Sequence, residues 1–336
     1  MKVCIIGTTS WGTTLGVMLA RRGVSLMLWA RTEAEAAALN AKRANELLLP
    51  DIAFPEGLVI TSSLEEGLRD SNLLIMAVPS HSMRQNLRKV RNWLKEPLLI
   101  LSAVKGLEAG TAKRMSEIIA EELDQSYHSS ICVLSGPNLS KEIAKGLLAT
   151  SVVASREEKV AKQVQEILMS PTFRVYTNRD VIGVELGGAL KNIIAIAAGM
   201  CEGLEYGDNA KAALMTRGLA EITRLGVAAG ANPLTFAGLA GLGDLVATCS
   251  SPLSRNHHVG YQLAKGQTLK EITISMPYVA EGINTTVAAR MLAQRMGVEM
   301  PITEYMYKVL FEGMNPRQAV VELMAREARP EFAGII

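Results

Sequence analysis

The sequence predicts an α/β N-terminal domain, a doubly wound parallel sheet over residues 1–178, followed by an all-α C-terminal domain over residues 179–336. Three observations predict it. Short apolar strands alternate with helical stretches through the first half, which is the pattern of a parallel sheet covered by helices on both faces. A glycine-bearing turn follows the first strand at once and opens a helix. After Asp180 strand signals nearly vanish and helical periodicity runs to the end. A chain of 336 residues is long for one core, and a hydrophobic content of 49% is enough for two.

The first strand, Val3-Cys-Ile-Ile6, is too short an apolar stretch for a signal peptide and suits a buried strand. It runs into Gly7-Thr-Thr-Ser-Trp-Gly12 and a helical pattern through Leu15, Met18 and Leu19, so the helix N-terminus is aimed at an anion. Gly7 and Gly12 hold the first and third places of the Rossmann dinucleotide pattern Gly-x-Gly-x-x-Gly. Thr9 holds the second, where bare backbone normally approaches a pyrophosphate, so its side chain must turn aside or touch the phosphate. The second strand, Ser25-Leu-Met-Leu-Trp29, leads to Arg31, which can pair with a 2′-phosphate or lie against adenine; NADP is admitted and NAD is not excluded. A plain strand-to-helix turn and a surface arginine are the simpler alternatives.

Beyond a weak Val59-Ile60 segment, strands are expected at 73–78, 98–101 and 131–134, with helices over 80–94 and 111–123. The loops after these strands carry Val78-Pro79-Ser80-His81, Lys105-Gly106 and Ser135-Gly136-Pro137-Asn138, at strand ends where ligands bind in such sheets. Lys105 is a cationic candidate there, against the commoner fate of a solvated loop lysine. Phe173-Arg-Val-Tyr176 and the polar hinge Thr177-Asn-Arg-Asp180 close the domain.

The run 181–200 is long and apolar, yet it contains Glu185, Lys191 and Asn192, which argues against a membrane span. Lys191 lies too far from either helix end to reach water easily. Desolvation should press its pKa downward unless a carboxylate compensates, which is how a lysine becomes a proton donor near neutral pH. Gly187, Gly188 and Ala189 thin the helix before it, so a ligand or another backbone can come close. An interface or snorkelling lysine is the alternative. Further helices are expected near 210–230, 255–265, 285–296 and Pro301–Phe311, the last opening with proline in its favoured first turn.

Gly238-Leu-Ala-Gly-Leu-Gly-Asp244 lacks the lysine and hydroxyl of a nucleotide-binding P-loop, which argues against nucleoside triphosphates. Asp244 is read as the carboxylate that orients Lys191 and keeps it charged, or as a cap for the helix 245–249. Ser254 is read as a helix cap whose exposed amides, with Arg255, make an anion site for one phosphate. Adjacent His257 and His258 cannot face one metal from a helix, and no metal site is expected. A net charge of +2 with no basic, aromatic-laced tract argues against a nucleic-acid partner. Cys4, Cys132, Cys201 and Cys249 are scattered, which suits a soluble protein of the reducing cytoplasm.

Together the segments resemble the soluble bacterial type of NAD(P)-dependent glycerol-3-phosphate dehydrogenase over essentially the whole chain. The resemblance is carried by Ser10-Trp11-Gly12, Leu49-Pro50, Val78-Pro79-Ser80, Lys105-Gly106-Leu107-Glu108, Leu134-Ser-Gly-Pro137, Phe173-Arg-Val-Tyr176, Gly187-Gly-Ala-Leu-Lys-Asn192, Gly207-Asp-Asn-Ala-Lys211, Thr216-Arg-Gly-Leu-Ala-Glu221, Gly241-Leu-Gly-Asp244 and Ser254-Arg-Asn256. It implies interconversion of dihydroxyacetone phosphate and sn-glycerol 3-phosphate with NAD or NADP, supply of glycerol phosphate for phospholipids, and a homodimer that does not insert into membranes. It implies that Lys191 is the general acid or base, with Lys105, Asn192 and Asp244 beside it. Gly7, Ser10, Trp11, Gly12, Arg31, Lys105, Ser140, Arg255, Val279 and Glu281 are implied at the cofactor. Lys105, Gly136, Asn138, Lys191, Asp244, Thr248, Ser254, Arg255 and Asn256 are implied at the substrate. The chain departs from the family pattern at Thr9, at Asn138 where serine or threonine is usual, at Ser140 for alanine, and at Ala280 within the usual Val-Val-Glu-Gly. Two other readings are a related hydroxyacid or phosphogluconate dehydrogenase and a non-catalytic dinucleotide-sensing protein, separable by a substrate panel and by binding without turnover.

Overall fold

Alternate residues of each strand in the first half feed two separate cores. Val3 and Ile5 pack on one face of the sheet and Cys4 and Ile6 on the other, so strands sandwiched between helices are apolar at every position. The structure, a computed structural model, describes residues 1–95, 97–276, 280–328 and 330–331. Its first half runs β1 (Lys2–Ile6), α1 (Ser10–Ala20), β2 (Ser25–Trp29), α2 (Glu33–Lys42), β3 (Leu58–Thr61), α3 (Leu64–Leu68), β4 (Leu73–Met76), α4 (Met83–Val90), β5 (Leu99–Ser102), α5 (Met115–Glu122), β6 (Ile131–Ser135), α6 (Ser140–Ala144), β7 (Ala149–Ala154), α7 (Glu158–Leu168) and β8 (Phe173–Asn178).

The strand order is β3-β2-β1-β4-β5-β6-β7-β8, and every neighbouring pair is parallel except β6 with β7. The chain winds outward from β1 to β3 and then returns to lay β4 on the other side of β1. That reversal puts the switch point, where ligands bind in doubly wound sheets, at the carboxyl ends of β1 and β4. This is the Rossmann-like sheet expected from the sequence. Four local expectations need correction. Ala149–Ala154 is an additional strand, and the weak Val59-Ile60 segment is the centre of β3. The helix expected over 111–123 begins only at Met115, because the preceding residues make a turn of their own in which Leu107 bridges Arg114. The helix expected over 80–94 is α4 flanked by two 3-10 turns, Ser80–Ser82 and Arg91–Trp93.

The second half is helical among the described residues: α8 (Val181–Gly203), α9 (Gly207–Ala228), α10 (Pro233–Phe236), a π turn at Leu239–Gly243, α11 (Asp244–Ser250), α12 (Arg255–Ala264), α13 (Leu269–Ser275), α14 (Glu281–Met296), α15 (Pro301–Phe311) and α16 (Pro316–Met324). Leu186, Leu190, Ile193, Ile194 and Ile196 of α8 are all buried, each worth about 1.5–3 kcal/mol against exposure. Two stretches, α8 and Pro233–Ser250, are long and apolar enough to cross a membrane, but 89% of the α8 window is buried inside the protein. Its apolar character is that of a core helix.

The chain divides into two compact units, one of Met1–Val104 with Met115–Val181, the other of Lys105–Arg114 with the residues from Ile182 onward. The simple boundary expected at 178 is therefore incomplete. Leu107 and Ala112 belong to the helical core, and the Arg295 guanidinium donates to Thr111 O at 2.7 Å. Burial of those two side chains and the ion pairs described below draw the segment out of the sheet unit.

Candidate active site

Lys191 lies on the sixth residue after Glu185 in α8, and its ammonium is buried, with 8% of the side chain exposed. It donates to Asp244 Oδ1 at 2.7 Å and to the Thr248 hydroxyl. Asp244 and Thr248 are one turn apart on α11, so both side chains face the same way. Asp244 is the first residue of that helix and its N-cap position is Gly243, so the carboxylate acts on the lysines and not as a cap. Its other oxygen accepts from Lys105 Nζ at 2.8 Å. One carboxylate, 1% exposed, thus holds two ammonium groups. Two ammonium groups are gathered on one carboxylate in a place with little water, an arrangement that favours a developing alkoxide.

Burial lowers the pKa of Lys105 from its ordinary value to about 8; Asp244 opposes the shift and Lys191 adds to it. The carboxylate anticipated beside Lys191 is present. An ammonium has three N–H donors, and two of those on Lys191 are used, so one remains for a substrate oxygen.

Amide side chains support the cluster from behind. Asn192 donates to Lys105 O at 3.3 Å and accepts from Asn256 Nδ2 at 2.8 Å, and Asn256 Oδ1 accepts from Gly282 N at 2.9 Å. Asn192 and Asn256 therefore tie Lys105 to the starts of α12 and α14. Ser254 caps α12 by accepting from His257 N at 3.2 Å, and Arg255 beside it is exposed. Glu281 is the first residue of α14, while Val279 lies outside the described residues. The thinning at Gly187 serves another backbone: a Cβ there would lie 2.5 Å from Ala240 O of the π turn.

The sheet unit carries the second group of expected residues. Gly7 has φ +114° and a Cβ on it would meet Ala77 O at 2.8 Å; a Cβ on Gly12 would meet Gly7 O at 2.1 Å. Only glycine fits either place. Thr9 turns aside: it is the N-cap of α1, accepting from Gly12 N at 3.0 Å and donating to Ala77 O at 2.7 Å. Ser10 and Trp11 open α1, and Trp11 Nε1 is buried with no hydrogen-bond partner among the described residues. A glycine cradle, a helix N-terminus and an orphaned donor at the switch point fit a dinucleotide. Gly136, at φ +140°, turns tightly against Ser151, and Asn138 donates to Thr150 O at 3.3 Å while its oxygen accepts from the Ser151 hydroxyl at 3.1 Å. Those bonds tie the turn to β7. Ser140 opens α6, and its carbonyl accepts from Thr14 of α1 at 3.2 Å. Lys105 follows the carboxyl end of β5 by three residues and is grouped with the helical unit.

Sequence reasoning missed two groups. Arg114, partly buried, pairs with the buried Glu185 at 2.7 Å, but nothing in the sequence signals a pair 71 residues apart. Glu35, in the first turn of α2, accepts from the Thr8 hydroxyl and from Arg31 N at 3.1 Å. Its signal was the helix start Thr32-x-x-Glu35, which places a carboxylate beside the second strand's end.

Comparison with known proteins places this geometry. Residues 2–161 match the family described as NAD-dependent glycerol-3-phosphate dehydrogenase N-terminus, and residues 180–321 match its C-terminus. The chain is 56% identical over 334 residues to a glycerol-3-phosphate dehydrogenase [NAD(P)+] of Dehalococcoides mccartyi, covering 99% of this chain and 93% of that one. It is 49% identical to the protein of the same name from Halalkalibacterium halodurans, over 99% of this chain and 96% of the relative. A crystal structure of glycerol-3-phosphate dehydrogenase from Coxiella burnetii superposes with a TM-score of 0.92 at 37% identity, over 97% and 99% of the two chains. These likenesses do not favour a different hydroxyacid dehydrogenase. With both halves matched and the lysine–aspartate cluster in place, the chain belongs to the NAD-dependent glycerol-3-phosphate dehydrogenase family.

Proposed function

We propose that this chain interconverts dihydroxyacetone phosphate and sn-glycerol 3-phosphate, using NAD or NADP. The observation that carries the reading is the buried Asp244 carboxylate holding Lys105 and Lys191 at 2.8 and 2.7 Å. The nicotinamide, when bound, supplies or accepts the hydride. In the reducing direction the free N–H of Lys191 hydrogen-bonds the ketone oxygen and delivers its proton as that oxygen becomes an alkoxide. Asp244 fixes the direction of Lys191 Nζ and stabilises the cation before transfer. Lys105 adds a second positive charge, an effect of the kind worth roughly 3 kcal/mol per well-placed donor.

The substrate phosphate is assigned to Arg255 with the amides that open α12, so that remote binding energy orients the reacting carbon. Asn192 and Asn256 keep Lys105 and α12 in place. Gly7, Ser10, Trp11, Gly12, Arg31 and Ser140 are assigned to the dinucleotide. The product serves as the glycerol phosphate backbone of phospholipids, and the protein works as a soluble cytoplasmic homodimer without a nucleic-acid partner.

Lys191→Met tests the assignment. Dinucleotide affinity, followed by fluorescence titration, is expected to stay within about twofold, while turnover of dihydroxyacetone phosphate drops by about a thousandfold or more. Turnover within tenfold of the parent would remove Lys191 from the mechanism.

A further inference from the structure

Glu35 lies where the 7–12 turn and the end of β2 come together. One carboxylate oxygen accepts from the Thr8 hydroxyl within the turn, and the other accepts from Arg31 N, two residues beyond β2, at 3.1 Å. Its own amide donates to the Thr32 hydroxyl at 3.2 Å, the capping bond of α2, which fixes the backbone under the side chain. The carboxylate is therefore held from both sides. Each of its oxygens keeps a lone pair after these bonds, so it can accept from the hydroxyls of a ribose.

In a doubly wound sheet the adenosine ribose of a dinucleotide lies between the glycine turn and the end of the second strand. A 2′-phosphate there carries a charge of roughly −1.5 to −2, and a fixed carboxylate repels it. Arg31 attracts the same group, so two opposed charges must be weighed. The Arg31 guanidinium is exposed, where water and salt screen it and the long side chain must be ordered before it can pair. The carboxylate is partly buried and already ordered by two hydrogen bonds, so its effect is the larger.

We propose that Glu35 selects against a 2′-phosphate on the adenosine ribose, so that this chain binds the unphosphorylated dinucleotide in preference to the phosphorylated one. The inference rests on reading the 7–12 turn as the dinucleotide cradle.

Calorimetric titration of the full chain with ADP-ribose and with 2′-phospho-ADP-ribose tests it without any turnover. The parent protein is expected to bind ADP-ribose at least about tenfold more tightly. Glu35→Gln should shrink that ratio below about threefold, chiefly by strengthening the phosphorylated ligand, and Arg31→Gln should widen it. Raising the ionic strength from about 0.05 M to about 0.5 M should narrow the ratio in the parent, a test that requires no variant to fold. Equal or tighter binding of the phosphorylated ligand by the parent, or a ratio that neither Glu35→Gln nor salt moves, overturns the selection. If neither ligand binds the parent at millimolar concentration, the cradle reading itself fails and the selection with it.

Discussion

Lys105 and Thr9 are the two positions at which single side chains have effects of opposite kind, one chemical and one structural. Burial withdraws water from the Lys105 ammonium and Asp244 restores only part of that stabilisation, so the amine titrates at about 8. Among the charged groups that set this value are Asp244 on α11, which raises it, and Lys191 on α8, which lowers it. Catalysis that needs both amines charged declines as pH rises through that value, because the lowered pKa lets Lys105 lose its proton there. An arginine stays charged to beyond about pH 12, so Lys105→Arg is expected to move the alkaline limb of kcat/KM upward by more than about one pH unit, even as peak activity falls. A pH–rate profile with an unmoved limb would assign it to another group. At Thr9 the hydroxyl is engaged inside the turn, so Thr9→Gly is expected to lower stability by about 1 kcal/mol, read from a denaturant midpoint, through loss of the cap and of the bond to Ala77 O. The KM for reduced cofactor should stay within about twofold. A tenfold improvement would mean that the threonine obstructs the pyrophosphate after all.

Helix α15 begins with Pro301, and the amides that follow it are captured by a carboxylate from another helix: Glu221 of α9, 3% exposed, accepts from Ile302 N and from Thr303 N. Burial raises the pKa of Glu221 to about 7, against the pull of those amides. A raised acid pKa means the folded chain holds a proton that the unfolded chain has already lost. The stability it contributes is full below about pH 4.5 and is lost as pH rises toward about 7, with a slope of at most about 1.4 kcal/mol per pH unit. Chemical denaturation of the parent and of Glu221→Gln across that window should show stability curves that diverge by about 3 kcal/mol, order of magnitude. Parallel curves would show that the carboxyl titrates normally.

Elements differ in how plainly the sequence announces them, and the reasons are physical. β1, β2 and the Lys191 helix are largely apolar runs, and such runs are legible because burial on most sides leaves few polar positions. β7 reads Ala-Thr-Ser-Val-Val-Ala, four of its six residues small or polar, and it pairs antiparallel to β6, so neither composition nor the βαβ rhythm marks it. Asp244 was readable as the partner of Lys191 because a lone lysine in an apolar helix demands a carboxylate, while Thr248 came only with the family resemblance. The grip of Glu35 on the glycine turn and the Arg114–Glu185 pair depend on which surfaces meet, and periodicity contains no such information.

At the scale of the whole molecule the division into two units follows the burial of Leu107 and Ala112 more than chain order. Native-state hydrogen exchange across a denaturant series is expected to show the amides of residues 105–114 opening together with α8 and α11, and not with β5 and α5, which flank them in the chain. Opening of that segment in step with β5 would place it in the sheet unit.

The excursion also limits how the gene can be divided. The break between the two family matches, 161 to 180, looks like a convenient place to express the halves separately. A C-terminal fragment cut there would lack Leu107 and Ala112 from its interior, would leave Glu185 without the guanidinium of Arg114, and would leave Asp244 with one lysine instead of two. Its failure to fold or to bind triose phosphate would say little about the helical half as such. A faithful excised version has to bring the 105–114 strip with it, grafted back through a linker.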